Sequence, residues 1–408
     1  MKILYLHQYF KTPEEGGAIR SYYLAKSLVR KGYQVELITS HNDKKDKTET
    51  IEGIKVHYLS VYYDNRLGFL GRILAFLRFV RKANKKALSI PDVDLVYASS
   101  TPLTIGLTAL KLKKKKDIPY YFEVRDLWPE APVQMGVIRN SILKKYLYGL
   151  EKKIYQHAQK IIALSPGMRD GIEKIAPEKP IYILPNISDC DFFYPETKDQ
   201  KLEEKYKVKD KFVISYFGAI GKVNKLDFMV ELMRACQEKA LHQIHFFIAG
   251  KGAETEKINL LIQKYGLRNV TTLGFLNKEG IKELLNVTDA TYISFADKPI
   301  LETNSPNKFF DAIAAGKLCI VNTQGWIKEM IELKECGFYA NPYDPNDFIE
   351  KLIPFLKERS KLLLYQANAR KLAENYFSRD LQTEKFIRLF SKEEKLEPIS
   401  PSVYTLTA

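Results

Sequence analysis

The chain has 408 residues, 45% of them apolar and 28% charged, and a formal net charge of +15. That profile excludes collagen-like, disordered and disulfide-scaffold classes, and the length suits two or three domains, each with its own core. The charge is lopsided: residues 1–198 hold 33 basic and 21 acidic side chains and the rest hold 31 and 28, so an anionic surface or acceptor is expected to meet the N-terminal part.

In chain order, short apolar runs at 3–6, 35–39, 95–99, 120–124, 160–164 and 181–184 predict buried strands, with amphipathic helices such as Arg20–Lys31 and Leu143–Gln159 between them. The pattern then restarts. Runs at 212–217, 245–249, 270–272, 290–295, 318–321 and 337–339 alternate with predicted helices at 226–239, 254–265, 278–287 and 307–315. Strands alternating with helices make parallel sheets covered on both faces. The expectation is an α/β protein of two doubly wound, Rossmann-like domains, 1–198 and 199–375, with a cleft between them. Residues 353–389 predict further helices, and 393–408 a loose, flexible tail.

Cys190, Cys236, Cys319 and Cys336 show no C-x-x-C spacing, which predicts reduced thiols. No apolar run reaches the ~18 residues of a membrane span, and the start Met1–Leu6 lacks the pattern of a signal peptide. A cytoplasmic protein is expected. The six histidines show no metal-ligand spacing, so no metal is expected.

Ligands of open parallel sheets sit beyond the carboxyl ends of the strands, so the loops after strands matter most. After the first strand, Gly16-Gly17 precedes a helix that begins near Arg20. Paired glycines there let a backbone approach an anion, although two glycines also suit a plain turn. No G-x-G-x-x-G occurs, so a nicotinamide or flavin cofactor is not indicated. After the strand at 120–124 comes Arg125-Asp126-Leu127-Trp128-Pro129-Glu130, charged where a buried strand ends, which suits either a structural ion pair or a site. The most specific stretch runs Glu302-Thr303-Asn304-Ser305-Pro306-Asn307-Lys308-Phe309-Phe310-Asp311 to Ala315-Gly316. Asn304 or Ser305 is the expected helix cap, with Pro306 near the first helical position. Lys308 then opposes the helix dipole in the first turn, and a bound anion is the natural compensation.

These segments, with Leu184-Pro185-Asn186-Ile187-Ser188-Asp189, Phe217-Gly218-Ala219-Ile220-Gly221 and Ile248-Ala249-Gly250-Lys251-Gly252, occur in the order found in retaining glycosyltransferases of family 4. The chain resembles that family over about residues 1–390, and within it enzymes that transfer N-acetylated amino sugars during bacterial surface polysaccharide synthesis. The resemblance implies the GT-B fold, a nucleoside-diphosphate sugar as donor, most readily a UDP-sugar, and no metal or other cofactor. It implies that Gly16 and Gly17 face the donor diphosphate and the acceptor. It likewise implies donor contacts by Gly218, Gly221, Gly250 and the segment Thr303–Asp311, with Lys222 or Lys225 joining Lys308 on the diphosphate. Asp311 stands where the second glutamate of the E-x7-E motif would contact ribose. The first falls at Thr303, with Glu302 one residue early, so Asn304, Ser305 and Asn307 are the candidates to replace it. Arg125 stands in place of a frequent histidine, with Asp126 beside it. Arg125, Asp126 and Lys308 are the expected catalytic group. A helix at about 376–392 is implied to return to the first domain.

Residues 66–86 carry seven basic side chains and no acidic one, with Phe69, Leu70, Ile73, Leu74, Phe76, Leu77 and Val80 at helical spacings. A second basic run spans Lys111–Lys116. Such a helix suits the headgroup region of an anionic bilayer, or it packs on the core with its charges solvated. Arg20, Arg66, Arg72, Arg78, Arg81 and Lys82 are the candidate contacts to a membrane surface or to a lipid-linked or oligosaccharide acceptor, which would place the protein peripherally on the inner face. No nucleic-acid recognition motif appears, so no such partner is expected. A sugar-nucleotide epimerase and an inactive scaffold remain as alternatives.

Overall fold

The computed structural model describes residues 1–391 apart from Glu14, Gly16, Gly17, Ala18, Asn65, Arg66 and the side chain of Phe69. Gly16, Gly17, Arg66 and the tail 393–408 therefore lie outside the described residues. The chain forms two units: Met1–Pro185 joined by the segment from Gln382 onward, and Asn186–Leu381.

In the first unit the strands are β1 Lys2–Leu6, β2 Gln34–His41, β3 Lys47–Ile51, β4 Ile54–Ser60, β5 Leu95–Ser99, β6 Tyr120–Val124, β7 Lys160–Ala163 and β8 Ile181–Ile183. The helices are α1 Arg20–Arg30, α2 Phe69–Ser89, α3 Ile105–Lys116, α4 Glu130–Gln134, α5 Ser141–His157 and α6 Pro166–Glu173. The sheet order is β3-β4-β2-β1-β5-β6-β7-β8, and only the β3–β4 pair is antiparallel. Strands β5 and β6 are buried along their whole length, as strands covered on both faces must be.

The β3–β4 hairpin was not foreseen. Lys47–Ile51 is polar and exposed, so no apolar alternation marks it. What builds it is the two-residue turn Glu52-Gly53, both at positive φ, with Ile51 opposite Ile54.

Helix α2 buries Ala75, Phe79, Ala83 and Ala87 and packs on α3 and β2. Its N-terminal half leaves Leu70, Leu74 and Leu77 at 73%, 53% and 50% exposure. The predicted apolar face thus divides into a core-packed side and an open leucine stripe. Lys113–Lys116 end α3, where cations complement the helix dipole, and Lys113 pairs with Asp117 at 2.6 Å.

In the second unit the strands are β9 Phe212–Phe217, β10 Ile244–Ala249, β11 Val270–Gly274, β12 Ala290–Ile293, β13 Leu318–Val321 and β14 Gly337–Tyr339. All pair in parallel, in the order β11-β10-β9-β12-β13-β14. The helices are α7 Gln200–Tyr206, α8 Asp227–Glu238, α9 Thr255–Lys264, α10 Lys278–Val287, α11 Asn307–Ala314, α12 Trp326–Leu333, α13 Pro345–Lys357, α14 Arg359–Leu372 and α15 Arg379–Arg388. One core runs from Ile214, Tyr216 and Phe246 on the sheet to Met229, Met233 and Phe348 on the helices.

The boundary falls at Pro185 rather than 198. Ser188 donates its hydroxyl to Phe310 O at 3.0 Å and its amide to Phe377 O at 2.8 Å, and Asp189 pairs with Lys278 at 2.7 Å. These bonds fasten the segment after Asn186 into the second unit. The chain rejoins the first unit within α15: Phe386 and Phe390 pack on Tyr97 at 5.0 and 6.1 Å, and Leu389 O accepts from Tyr121 and Lys160. Among the described residues no helix is long and apolar enough to cross a membrane. The four cysteines are free thiols.

Candidate functional site

Each sheet has a point where strand order reverses, and chemistry-bearing side chains gather at both. In the second unit that point lies between β9 and β12. The loops after β9 and β10 meet there because glycine removes the obstacle: a Cβ on Gly250 would lie 1.8 Å from Gly218 O, and one on Gly252 would lie 2.2 Å from Ile220 O. Gly218 and Gly250 also hold φ of +133° and +152°, conformations costly for any other residue. Gly250→Ala is accordingly expected to destabilise this unit by at least ~1–3 kcal/mol and to weaken nucleotide binding, measurable by thermal melting with and without nucleotide.

Helix α11 starts at Asn307 with Pro306 at the cap position and no side chain capping it. The expected cap does not form, because the helix begins one residue later than a Ser305 cap requires. The Ser305 hydroxyl is instead buried without a partner, while Asn186 donates to Ser305 O at 2.5 Å. An uncapped first turn leaves amide N–H groups and the positive end of the dipole available. Lys308 in that turn hydrogen-bonds the Tyr216 hydroxyl at 2.9 Å and lies 4.1 Å from the centre of its ring. With its amide turned to donate to Ala219 O, Asn224 offers its oxygen to Lys308 at 3.3 Å. Among the described residues no carboxylate faces the Lys308 ammonium, and burial pushes its pKa down to about 7. Asp311 is pushed up to about 7 by burial, with Asp189 adding to the shift and Lys278 opposing it. The Asp311 carboxylate makes no hydrogen bond with another described residue.

The other candidates divide. Thr303 spends its hydroxyl on Ile300 O at 2.8 Å, closing the 3-10 turn Pro299–Thr303. Asn304 is held through its carbonyl by the Trp326 indole at 2.8 Å. Asn307 and Lys222 are exposed. Gly221 accepts the Asn224 amide at 2.9 Å and so shapes the turn. Lys225, at positive φ, lies 3.7 Å from Asp227, so of the two loop lysines Lys222 is the one without a carboxylate neighbour among the described residues. Tyr216 and Asn224 were missed. A tyrosine inside an apolar strand reads as core, and nothing local to either residue reports that Lys308 arrives from another loop.

In the first unit the reversal lies between β1 and β5. His7, directly after β1, faces Ser21 Oγ through Nδ1 at 2.8 Å and Arg125 through Nε2 at 3.0 Å. Because the guanidinium can only donate, Nε2 accepts and the ring proton sits on Nδ1. Burial, then Arg125, holds the His7 pKa well below the usual value, so the imidazole is neutral. Arg125 is further fixed by its amide, which donates to Ser100 Oγ at 3.0 Å. Beside it the Asp126 carboxyl is pushed up to about 6 by burial, with Arg125 opposing. His7 was not among the expected site residues, yet it orients Arg125. Its place directly after a buried strand was the available signal.

Arg20 requires a correction. It was expected at an acceptor or membrane, but it is 3% exposed and bonds Glu123 through Nε and NH2 at 3.0 and 2.9 Å. Its remaining bonds go to Leu184 O and Pro185 O. A side chain enclosed this way clamps α1 to β6 and to the end of β8. Among the α2 candidates, Lys82 pairs with Asp46 at 2.7 Å and Arg72 donates to Leu67 O at 2.9 Å, while Arg78 and Arg81 are exposed.

Two family models match the chain: Glycosyltransferase Family 4 over residues 15–192 and Glycosyl transferases group 1 over residues 197–372. No match was found among curated proteins. Solved structures with the same fold include sucrose-phosphate synthase from Thermosynechococcus elongatus, with TM-score 0.79, 16% identity and coverage of 95% of this chain and 98% of that one. Anabaena HepE in complex with UDP and glucose has TM-score 0.70 and 17% identity, covering 96% and 100% of the two chains. WaaG, a glycosyltransferase involved in lipopolysaccharide biosynthesis, has TM-score 0.63 and 18% identity, covering 95% and 98%. With two Rossmann-like units matched in sequence order by these two models, the chain belongs to glycosyltransferase family 4 and has the GT-B fold.

Proposed function

We propose that the protein is a retaining transferase that moves an N-acetylated amino sugar from a UDP-sugar to a polyprenyl-diphosphate-linked or oligosaccharide acceptor in surface polysaccharide synthesis. The observation that carries the donor side is Lys308. An ammonium with no carboxylate partner among the described residues, in the uncapped first turn of α11, suits a diphosphate. Complexes of HepE with UDP and UDP-glucose, on the same fold, support a nucleotide donor. Asp311 suits a ribose hydroxyl, and Ser305 with Asn186 supplies polar atoms that lack a partner.

In this reading the C1–O bond to the diphosphate breaks while the acceptor oxygen bonds C1 on the same face. The acceptor proton passes to a phosphate oxygen of the departing nucleotide. Charge grows on that diphosphate, where Lys308 and the α11 amides stabilise it without a metal ion. Arg125 and Asp126 are assigned to the acceptor side. The leucine stripe and basic residues of α2 support peripheral contact with the inner face of a membrane.

Thermal melting across a panel of nucleotides and nucleotide sugars tests the donor. A ligand of the folded state at a hundredfold excess over its Kd adds about 2.7 kcal/mol of stability. UDP and UDP-linked amino sugars are expected to give the largest shifts. A folded sample that no nucleotide stabilises would sink the reading and favour a non-catalytic scaffold, which the engaged hydroxyl of Thr303 would also suit.

A further inference from the structure

The Lys308 ammonium meets neutral oxygens, and the hydrogen bonds behind those oxygens fix which way they point. The Tyr216 hydroxyl donates its one proton to Ala219 O at 2.6 Å, so toward Lys308, 2.9 Å away, it can only accept. The Asn224 amide donates to the same carbonyl at 2.7 Å, which turns its oxygen to Lys308 at 3.3 Å. One backbone carbonyl thus orients two acceptors. Gly218 gives the lysine its path: a Cβ there would lie 3.4 Å from Lys308 Cε and 3.5 Å from Nζ.

The Asn224 side is anchored from two further strands. Ser294, just after β12, donates its hydroxyl to Asn224 O at 2.6 Å, and the Ala296 amide donates to Val223 O at 2.7 Å. Asn322, just after β13, bonds the amide and the carbonyl of Phe295 at 2.8 and 2.9 Å. The Phe295 ring lies 5.6 Å from the Lys308 ammonium. Of the three side chains facing that ammonium, only Tyr216 titrates, and burial raises its pKa far above neutrality. Lys225, in the same loop as Asn224, lies 3.7 Å from Asp227, and on α11 itself Asp311 stands three residues on from Lys308.

An ammonium carries three N–H donors. Two meet Tyr216 and Asn224, and the third has no oxygen partner among the described residues. Neutral acceptors aim the group without cancelling its charge, whereas a carboxylate would do both.

We propose that Tyr216 and Asn224 are positioning residues for sugar transfer: oriented together by Ala219 O, they hold the Lys308 ammonium and leave its charge and its third N–H to the donor diphosphate. This inference rests on the reading of Lys308 as a diphosphate ligand.

The test is calorimetric titration of UDP into the full chain from pH 6 to 9. In the unaltered protein, affinity falls above a bend near pH 7, where Lys308 loses its proton before UDP binds. Tyr216→Phe keeps the ring and removes one acceptor of the charged form. The bend then moves down by about one pH unit, the scale of one hydrogen bond to a charged group. Asn224→Asp is nearly isosteric and sets a carboxylate against the ammonium. The bend then moves up, while affinity below it falls at least ~10-fold.

In a Lys308→Ala background, Tyr216→Phe changes UDP affinity less than ~2-fold, because its effect passes through the lysine. A residue that merely packs β9 would cost the same affinity with or without Lys308 and would leave the bend in place. Thermal melting checks the fold, and Asn224→Asp, at a half-buried loop position, probes the same cradle should Tyr216→Phe fail to fold. Unchanged UDP affinity in Lys308→Ala overturns the diphosphate reading and this inference with it. If Lys308→Ala does weaken UDP, a bend that is absent, or that a folded variant leaves in place or moves the wrong way, overturns this inference alone.

Discussion

Replacing Lys308 with alanine is expected to lower sugar transfer by about 10²–10³-fold, the scale of losing one preorganised charge contact in a transition state. The protein should stay folded. The side chain is half-buried, among the described residues its ammonium meets the Tyr216 hydroxyl, the Tyr216 and Phe295 rings and the Asn224 amide but no carboxylate, and burial has already cost it proton affinity. The pH dependence gives an independent reading. With a folded-state pKa of about 7 against an unfolded value near ~10.4, the unfolded chain holds more protons between those limits. Stability contributed at this site therefore rises as pH increases from 7 to 10. Donor affinity should run the other way. A bound diphosphate favours the charged ammonium, so above pH 7 binding must take up a proton and weakens by up to ~10-fold per pH unit. Lys308→Ala should flatten both trends, measured by melting and by nucleotide titration from pH 6 to 9. Near-wild-type transfer in this variant would dismiss the diphosphate assignment.

The largest stability effect is expected at Arg20. Arg20→Met leaves Glu123 buried without its ion-pair partner, supported only by Ser99 and the charge of Arg125, and it removes donors from Leu184 O and Pro185 O. Burial alone would raise the Glu123 pKa. The charges of Arg20 and Arg125 and the hydrogen bonds from Ser99 and Arg20 more than offset this and hold it below the usual value. Breaking one side of such a pair costs ~3–5 kcal/mol, a fall in Tm of roughly 6–20 °C for a unit of this size. Adding Glu123→Gln should recover part of that loss, because the amide no longer carries an unpaired charge. A single substitution with unchanged melting would show that the clamp does not hold α1.

The strands of both sheets were legible because burial on two faces imposes unbroken apolar runs such as Phe212–Phe217. The hairpin was not: β3 is an exposed edge strand with no such imprint, and the mostly buried β4 is broken by Lys55 and His57. The run Lys111–Lys116 showed its charge but hid its helix, whose buried face is Ile105, Thr108, Ala109 and Leu112. Lys308 could be singled out because its conflict with the helix dipole is local. The roles of Tyr216, Asn224 and His7 depend on which loops the sheet order brings together. Arg20 was assigned outward because its partner, Glu123, stands 103 residues away, beyond any local pattern.

The first unit is completed only by α15, the last helix among the described residues. Tyr97 and Tyr121 are made early in synthesis, yet Phe386 and Phe390, which cover them, leave the ribosome after the whole second unit. The second unit, contiguous in sequence, can close while translation continues. The first must wait with an aromatic patch uncovered, so a nascent chain stalled between Leu381 and Phe386 presents chaperones with one finished body and one unfinished one.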